Sequence, residues 1–271
     1  MNKLSSPFLL LLDIGNTRTK WGTSQAISLA NTDRYLKNEL NGTVSHADQS
    51  QFEQFVEKNI PIPDQIIFVC VASNAVKLHW LEHLKKRWPQ VSLIEVSGKK
   101  LIPGLINGYD NSNQLGADRW VSLIGARYTF PGVAALVVNS GTATTIDAIN
   151  AEGIHQGGWI IPGFSLMFNS LKSGTAQLPL SPPIEDFSTT FSFGKNTHLG
   201  IQNGVLNAQV GAILRATQLF PQAEKIILTG GNSPPLEASL KNNPGFPTTL
   251  YEPDLTLKGL YFYSIHSLTA K

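Results

Sequence analysis

The sequence predicts an α/β protein built of two similar halves, and three observations carry that prediction. Apolar runs of strand length alternate with stretches of helical periodicity, the pattern of sheets layered with helices. A strand-like run ends twice in a short polar residue, then glycine, then amide or hydroxyl side chains: Asp13-Ile14-Gly15-Asn16-Thr17 early and Asn139-Ser140-Gly141-Thr142-Ala143-Thr144-Thr145 late. Finally, 271 residues with 42% hydrophobic and 15% charged side chains suffice for a sizeable core or two, without disorder.

Taken in order, residues 8–13 read as a buried strand entering a tight turn, and 17–30 as a hairpin continuation through Trp21-Gly22 and Ile27-Ser28-Leu29. Phe52, Phe55 and Val56 fall at helical spacing, which predicts an amphipathic helix over 47–58. A strand at 65–71, a helix at about 75–88 and a strand at 91–96 follow. The Gly-, Asn- and Pro-rich stretch 98–117 predicts a long loop, a feature more often functional than accidental. A helix over 118–130, a buried strand at 133–138, a glycine-bounded strand at 157–161 and a helix near 196–219 come next. The last predicted elements are a strand at 225–229, stopping at Gly230-Gly231, and a closing helix from about 255.

Composition narrows the function. A net charge of +2 does not suggest nucleic acid, and Lys85-Lys86-Arg87 reads as a solvated helix face. Cys70 is the single cysteine, so an intrachain disulfide and a cysteine metal cage are both excluded. It lies in the run Ile66–Val71, as expected of a buried, inert thiol. No run reaches membrane-span length, and the expected setting is the cytoplasm.

The two glycine turns are suited to phosphate. Glycine lets backbone N–H groups approach phosphate oxygens, Asn16, Thr17, Thr142, Thr144 and Thr145 add neutral donors, and Asp13 offers a carboxylate to metal-bound ATP. One such turn is no more than an ordinary hairpin; two in the same order point to phosphate binding, with a cleft between the halves. Neither a Walker A motif nor a protein-kinase glycine loop is present, and Gly194-Lys195-Asn196-Thr197 lacks the preceding glycine of a P-loop. His79-Trp80-Leu81-Glu82-His83 fits the H-x-x-E-H zinc pattern, yet no third ligand is identifiable, and an amphipathic surface helix is the better account.

These motifs, together with Tyr109-Asp110-Asn111, Leu115-Gly116-Ala117-Asp118-Arg119-Trp120, Gly157-Gly158, Ile161-Pro162-Gly163, Thr175–Pro179, Thr229-Gly230-Gly231 and Pro253–Leu260, resemble the type III pantothenate kinases over nearly the whole chain and in the same order. The resemblance implies a duplicated ribonuclease-H-like (actin-like ATPase) fold, with domains over 1–115 and 116–271 and a nucleotide cleft between them. It implies a homodimer that phosphorylates pantothenate with ATP, Mg²⁺ and a monovalent cation, K⁺ or NH₄⁺. A non-catalytic nucleotide-binding regulator, or a kinase for another small hydroxyl substrate, stands as the alternative.

By the same resemblance Asp118 is the general base, and Asp13, Gly15, Asn16, Thr17, Lys20 and Thr142 serve ATP, Asp13 facing Mg²⁺ through the nucleotide. Tyr109, Gly116, Ala117, Arg119 and Thr197 serve pantothenate. Asp118 also suits a helix N-cap, and Arg119 an ordinary ion pair. Asp147 matches a family position without a definite role. One departure is Asn139, where the family carries Asp at its monovalent-cation position; an amide keeps an oxygen ligand but loses the charge. Ser112 stands where the family commonly has Pro.

Overall fold

The computed structural model describes residues 7–24, 41–46, 60–98, 102–174, 193–241 and 246–268. The helix expected over 47–58, the strand residues Ile27–Leu29 and the Thr175–Pro179 motif lie outside them. Contacts gather the chain into two compact units interleaved in sequence. One holds the described parts of Met1–Pro103, Asn111–Thr129 and Leu255–Lys271, the other Gly104–Asp110 and Phe130–Asp254, whereas the sequence suggests a single boundary after residue 115.

In the first unit, β1 (Leu9–Ile14), β2 (Arg18–Thr23), β3 (Asn41–Ser45), β4 (Gln65–Cys70) and β5 (Ser92–Glu95) form a sheet of order β3-β2-β1-β4-β5. β1 is antiparallel to β2 and parallel to β4, so it is the central strand and is buried on both faces. That is why it reads as Leu9-Leu10-Leu11-Leu12 without alternation. One face packs Leu10, Leu12, Ile66 and Phe68 against Trp80 and Leu84 of α1 (Asn74–Arg87), whose N-cap is Ser73. Lys85, Lys86 and Arg87 are exposed in its last turn, where cations complement the helix dipole. Also in this unit, α2 (Ala117–Thr129) and α6 (Leu255–Leu268) pack against each other and against β4, and α6 also packs against β1. They approach so closely that a Cβ on Gly125 would overlap the Leu255 carbonyl and one on Gly259 the Val121 carbonyl.

The second unit repeats the plan. β6 (Ala135–Ser140), β7 (Ala143–Ile149), β8 (His155–Pro162), β9 (Lys225–Thr229) and β10 (Thr248–Tyr251) form a sheet of order β10-β9-β6-β7-β8. β6 is antiparallel to β7 and parallel to β9, as β1 is to β2 and β4. Leu136, Val138, Ile226 and Leu228 pack against Val205, Leu206 and Ile213 of α4 (Thr197–Leu219) and Leu236 of α5 (Ser233–Leu240), with Phe164 of α3 (Phe164–Gly174) in the same cluster. The duplicated α/β architecture is therefore present as two five-stranded sheets of identical connectivity. Among the described residues, no helix is long and apolar enough to cross a membrane.

Candidate functional site

The central strand of each sheet delivers its fifth residue, half-buried, to the strand end: Asp13 in β1 and Asn139 in β6 occupy equivalent places. Glycine then turns the chain, with Gly15 N–H donating to the Arg18 carbonyl at 3.1 Å in the first unit and Gly141 N–H to the Ala143 carbonyl at 3.0 Å in the second. The echo seen in sequence is thus a repeat of structure.

In the first unit, Asp13 pairs across the ladder with Lys20 and lies beside Val69. Burial, and next the negative charge of Asp118, push its carboxyl up to about 6, against the opposing pull of Lys20 and a hydrogen bond from the Thr256 hydroxyl. Asn16 and Thr17 are exposed beyond the turn. Thr256, buried at the start of α6, has no local sequence signal that ties it to a strand so far away in the chain. Cys70, half-buried at the end of β4, has its thiol pushed above the ordinary range mainly by burial.

Because the carboxyl is more basic folded than unfolded, the folded chain binds the Asp13 proton more tightly. Its ionisation costs nothing below about pH 4 and costs stability as pH rises through 6. Asp13→Asn is expected to raise the melting temperature of nucleotide-free protein at pH 7.5, with the gain vanishing near pH 4. Calorimetry across that range checks it, and an equal shift at both pH values would contradict it.

Asp118 lies in the first turn of α2, not at its cap; the Gly116 carbonyl accepts the first helical bond, from Trp120 N–H at 3.0 Å. Asp118 Oδ1 folds back to accept the Arg119 N–H at 2.8 Å. A Cβ on Gly116 would sit 2.8 Å from that oxygen, so glycine there makes room for the carboxylate. Ala117 is half-buried, whereas Arg119 is only 4% exposed. Asp13 and Asp118, distant in sequence, are thereby brought within electrostatic reach in one unit.

In the second unit the Gly141-Thr142 turn is braced from two sides. Gly163 N–H donates to the Thr142 carbonyl at 3.0 Å, and Asn232 donates from its backbone to Ser140 and from Nδ2 to Gly141, both at 3.0 Å. A Cβ on Gly163 would overlap the Gly141 and Thr142 carbonyls. Thr142 is exposed at the apex. Gly230, at φ +91°, lies against the Ser140 carbonyl and Asn139 Oδ1. Asn232 was not singled out in the sequence, because its contact is with a turn on another strand.

Tyr109 belongs to the strip Gly104–Asp110 of the second unit, and its ring stacks on that of His155, centroids 5.5 Å apart. Thr197 is exposed at the start of α4, which Asn196 caps by accepting the Leu199 N–H at 2.9 Å. Gly194 packs so closely on that first turn that a Cβ would overlap Gly200 N, which accounts for Gly194-Lys195-Asn196-Thr197 without a P-loop. His79, Glu82 and His83 all lie on α1, the first two exposed.

The chain matches the family model for type III pantothenate kinase over residues 9–218. It is 32% identical over 260 residues to a type III pantothenate kinase of Pseudoalteromonas translucida, covering 94% of this chain and 96% of that one. To the enzyme of that name from Azoarcus sp. it is 36% identical over 253 residues, covering 93% and 89%. Among solved structures, the fold is similar to a putative Baf family transcriptional activator from Campylobacter jejuni (TM-score 0.58, 20% identity, 96% of this chain and 99% of that one). It is also similar to the activator of 2-hydroxyisocaproyl-CoA dehydratase from Clostridium difficile with bound ADPNP (TM-score 0.54, 10% identity, 97% and 96%). MreB 5 of Spiroplasma citri bound to AMPPNP likewise shares the fold (TM-score 0.53, 10% identity, 98% of each). The fold is that of the actin-like ATPases, and on its sequence the chain belongs to the type III pantothenate kinase family.

Proposed function

We propose that the protein transfers the γ-phosphoryl group of ATP to the primary hydroxyl of pantothenate, giving 4′-phosphopantothenate and ADP, an entry step of coenzyme A synthesis. The observation that carries the reading is the Asp13–Asp118 pair at the glycine turn of β1, set in a chain that belongs to this family. Phosphoryl transfer makes few covalent demands on a protein, so positioning and charge supply most of the acceleration. Asp118 accepts the hydroxyl proton and aims the oxygen at phosphorus. Gly15, Asn16, Thr17, Lys20 and Thr142 serve the nucleotide. Arg119 takes the pantothenate carboxylate, with Gly116 and Ala117 shaping that contact and Tyr109 and Thr197 adding contacts of their own.

A half-buried carboxylate whose proton is held up to about 6 by burial and by a second carboxylate is suited to a cation. Mg²⁺ bound with ATP would supply that charge and neutralise the phosphates; Asp13 would face it. Asn139, the counterpart of Asp13, is assigned to the monovalent cation. With an amide there, Asn139→Asp is expected to tighten K⁺ or NH₄⁺ activation by about tenfold, one added charge at partial screening. A titration of turnover against each cation checks this, and an unchanged activation constant would remove Asn139 from the cation site.

A homodimer is in keeping with the apolar residues Trp159 and Ile160 exposed on edge strand β8 and Leu166 exposed on α3 of the same unit. Sedimentation at twice the chain mass supports it, and at the chain mass refutes it. The acceptor itself is tested by ADP release with pantothenate beside a panel of sugars. Turnover with a sugar but not with pantothenate would move the assignment to another small hydroxyl substrate.

A further inference from the structure

Tyr109 has no strand or helix of its own to hold it, yet its backbone and ring are both fixed. Ile106 bridges to Ile154 in parallel register, its N–H donating to the Gly153 carbonyl and its carbonyl accepting the His155 N–H, both at 2.9 Å. Gly108 then passes so close to the His155 carbonyl that a Cβ would overlap it, and Asn107 Oδ1 accepts the Tyr109 N–H at 3.0 Å. The ring meets His155 nearly face on, at 23° between planes.

His155 is in turn fixed from below. It is 1% exposed, and its Nε2 donates to Asp147 Oδ1 at 2.8 Å, Asp147 being 2% exposed. Among the described residues, its Nδ1 has no hydrogen-bond partner. The contact depends on an irregularity between β7 and β8: Asp147 pairs with Gly158 and Ile149 with His155, a shift in register that brings the two side chains together. A buried carboxylate and imidazole are expensive to desolvate and are not needed to close a sheet that Val, Ile and Leu close elsewhere. Here they give the imidazole one fixed plane, and that plane is the surface on which Tyr109 lies.

We propose that Asp147 and His155 are positioning residues for the acceptor substrate, acting through Tyr109: Asp147 orients the imidazole, the imidazole orients the tyrosine ring, and the ring sets the affinity for pantothenate. The proposal rests on the reading of Tyr109 as a pantothenate contact. It gives Asp147 a supporting role in place of a metal-facing one, and it predicts that the relay is silent toward ATP.

The test is steady-state kinetics of His155→Leu, Asp147→Asn and His155→Gln, each also combined with Tyr109→Phe and with Tyr109→Leu. Loss of an aromatic stacking platform is worth about fivefold. His155→Leu is expected to raise the KM for pantothenate by about that factor, leaving the KM for ATP and kcat within about twofold. His155→Gln, whose planar amide can still donate to Asp147, recovers most of the loss and serves where His155→Leu does not fold. In the Tyr109→Phe background the His155→Leu effect persists; in Tyr109→Leu it disappears. If Tyr109→Leu leaves the pantothenate KM unchanged, the reading of Tyr109 as a contact fails, and the relay with it. If Tyr109→Leu raises that KM while every His155 and Asp147 variant leaves it alone, the relay alone is overturned. Equal effects on the KM values for pantothenate and ATP would reduce the pair to a structural role and also overturn it.

Discussion

Asp118→Asn is expected to lower kcat by about 10²- to 10⁴-fold, the usual worth of a positioned general base, while ATP still binds. The substitution keeps the local geometry: an amide oxygen can accept the Arg119 N–H as Oδ1 does, and it is no larger beside Gly116. What it removes is the proton acceptor and one negative charge. That charge is the second-largest influence raising the Asp13 carboxyl, so the Asp13 proton should become easier to lose in the variant. Nucleotide affinity, read by calorimetric titration at pH 7.5, should hold or improve as catalysis falls. A variant with kcat within threefold of wild type would remove Asp118 from the chemistry. Lost nucleotide binding in a folded variant would make it a structural residue of the first glycine turn.

The second large effect is expected at Gly230→Ala. At φ +91° an L side chain is strained, and the new methyl would also overlap the Ser140 carbonyl and stand 2.7 Å from Asn139 Oδ1. Strain and overpacking together cost about 2–4 kcal/mol. The damage should spread to the glycine turn after β6, because Gly230 leads into Asn232, which holds Ser140 and Gly141. Urea denaturation measures the loss of stability, with a raised KM for ATP as the functional counterpart. Gly211→Ala, in open space on α4, is the control and should stabilise by about 0.5–1 kcal/mol. Near-neutral Gly230→Ala would mean that the turn after β9 does not constrain the one after β6.

How much of this was legible in the sequence follows from where each contact lies. β1 and β6 announced themselves because a central strand buried on both faces is an unbroken apolar run, and the turns after them because glycine beside hydroxyls is distinctive. Edge strands β3 and β10 were not predicted: Asn41-Gly42-Thr43-Val44-Ser45 and Thr248–Tyr251 are short, and each is paired on one side only. Helix α5 was not predicted; Pro234-Pro235 stand in its first turn, where backbone N–H groups lack intrahelical partners and proline costs little. Helix α3 was not predicted, although Phe164, Met167, Phe168 and Leu171 fall at helical spacing after Pro162-Gly163 and pack in the second core.

The candidate residues divide in the same way. Asp118 and Arg119 were placed by resemblance, but the sequence left open an N-cap role that the start of α2 at Ala117 removes. The environment of Asp13 could not be read, since Asp118 and Thr256 reach it from remote helices. Nor could the role of Asp147, because its contact with His155 requires a break in strand register that no local pattern encodes.

The most direct test of the central claim is phosphorus NMR of the products after ATP and pantothenate are incubated with the protein in Mg²⁺ and K⁺ buffer. The account predicts one new phosphomonoester, coupled to the methylene protons of pantothenate's primary alcohol and equal in amount to ADP. ADP with free phosphate and no ester would contradict it by making the protein an ATP hydrolase, and nucleotide bound but never turned over would contradict it and put a non-catalytic regulator on the same fold in its place.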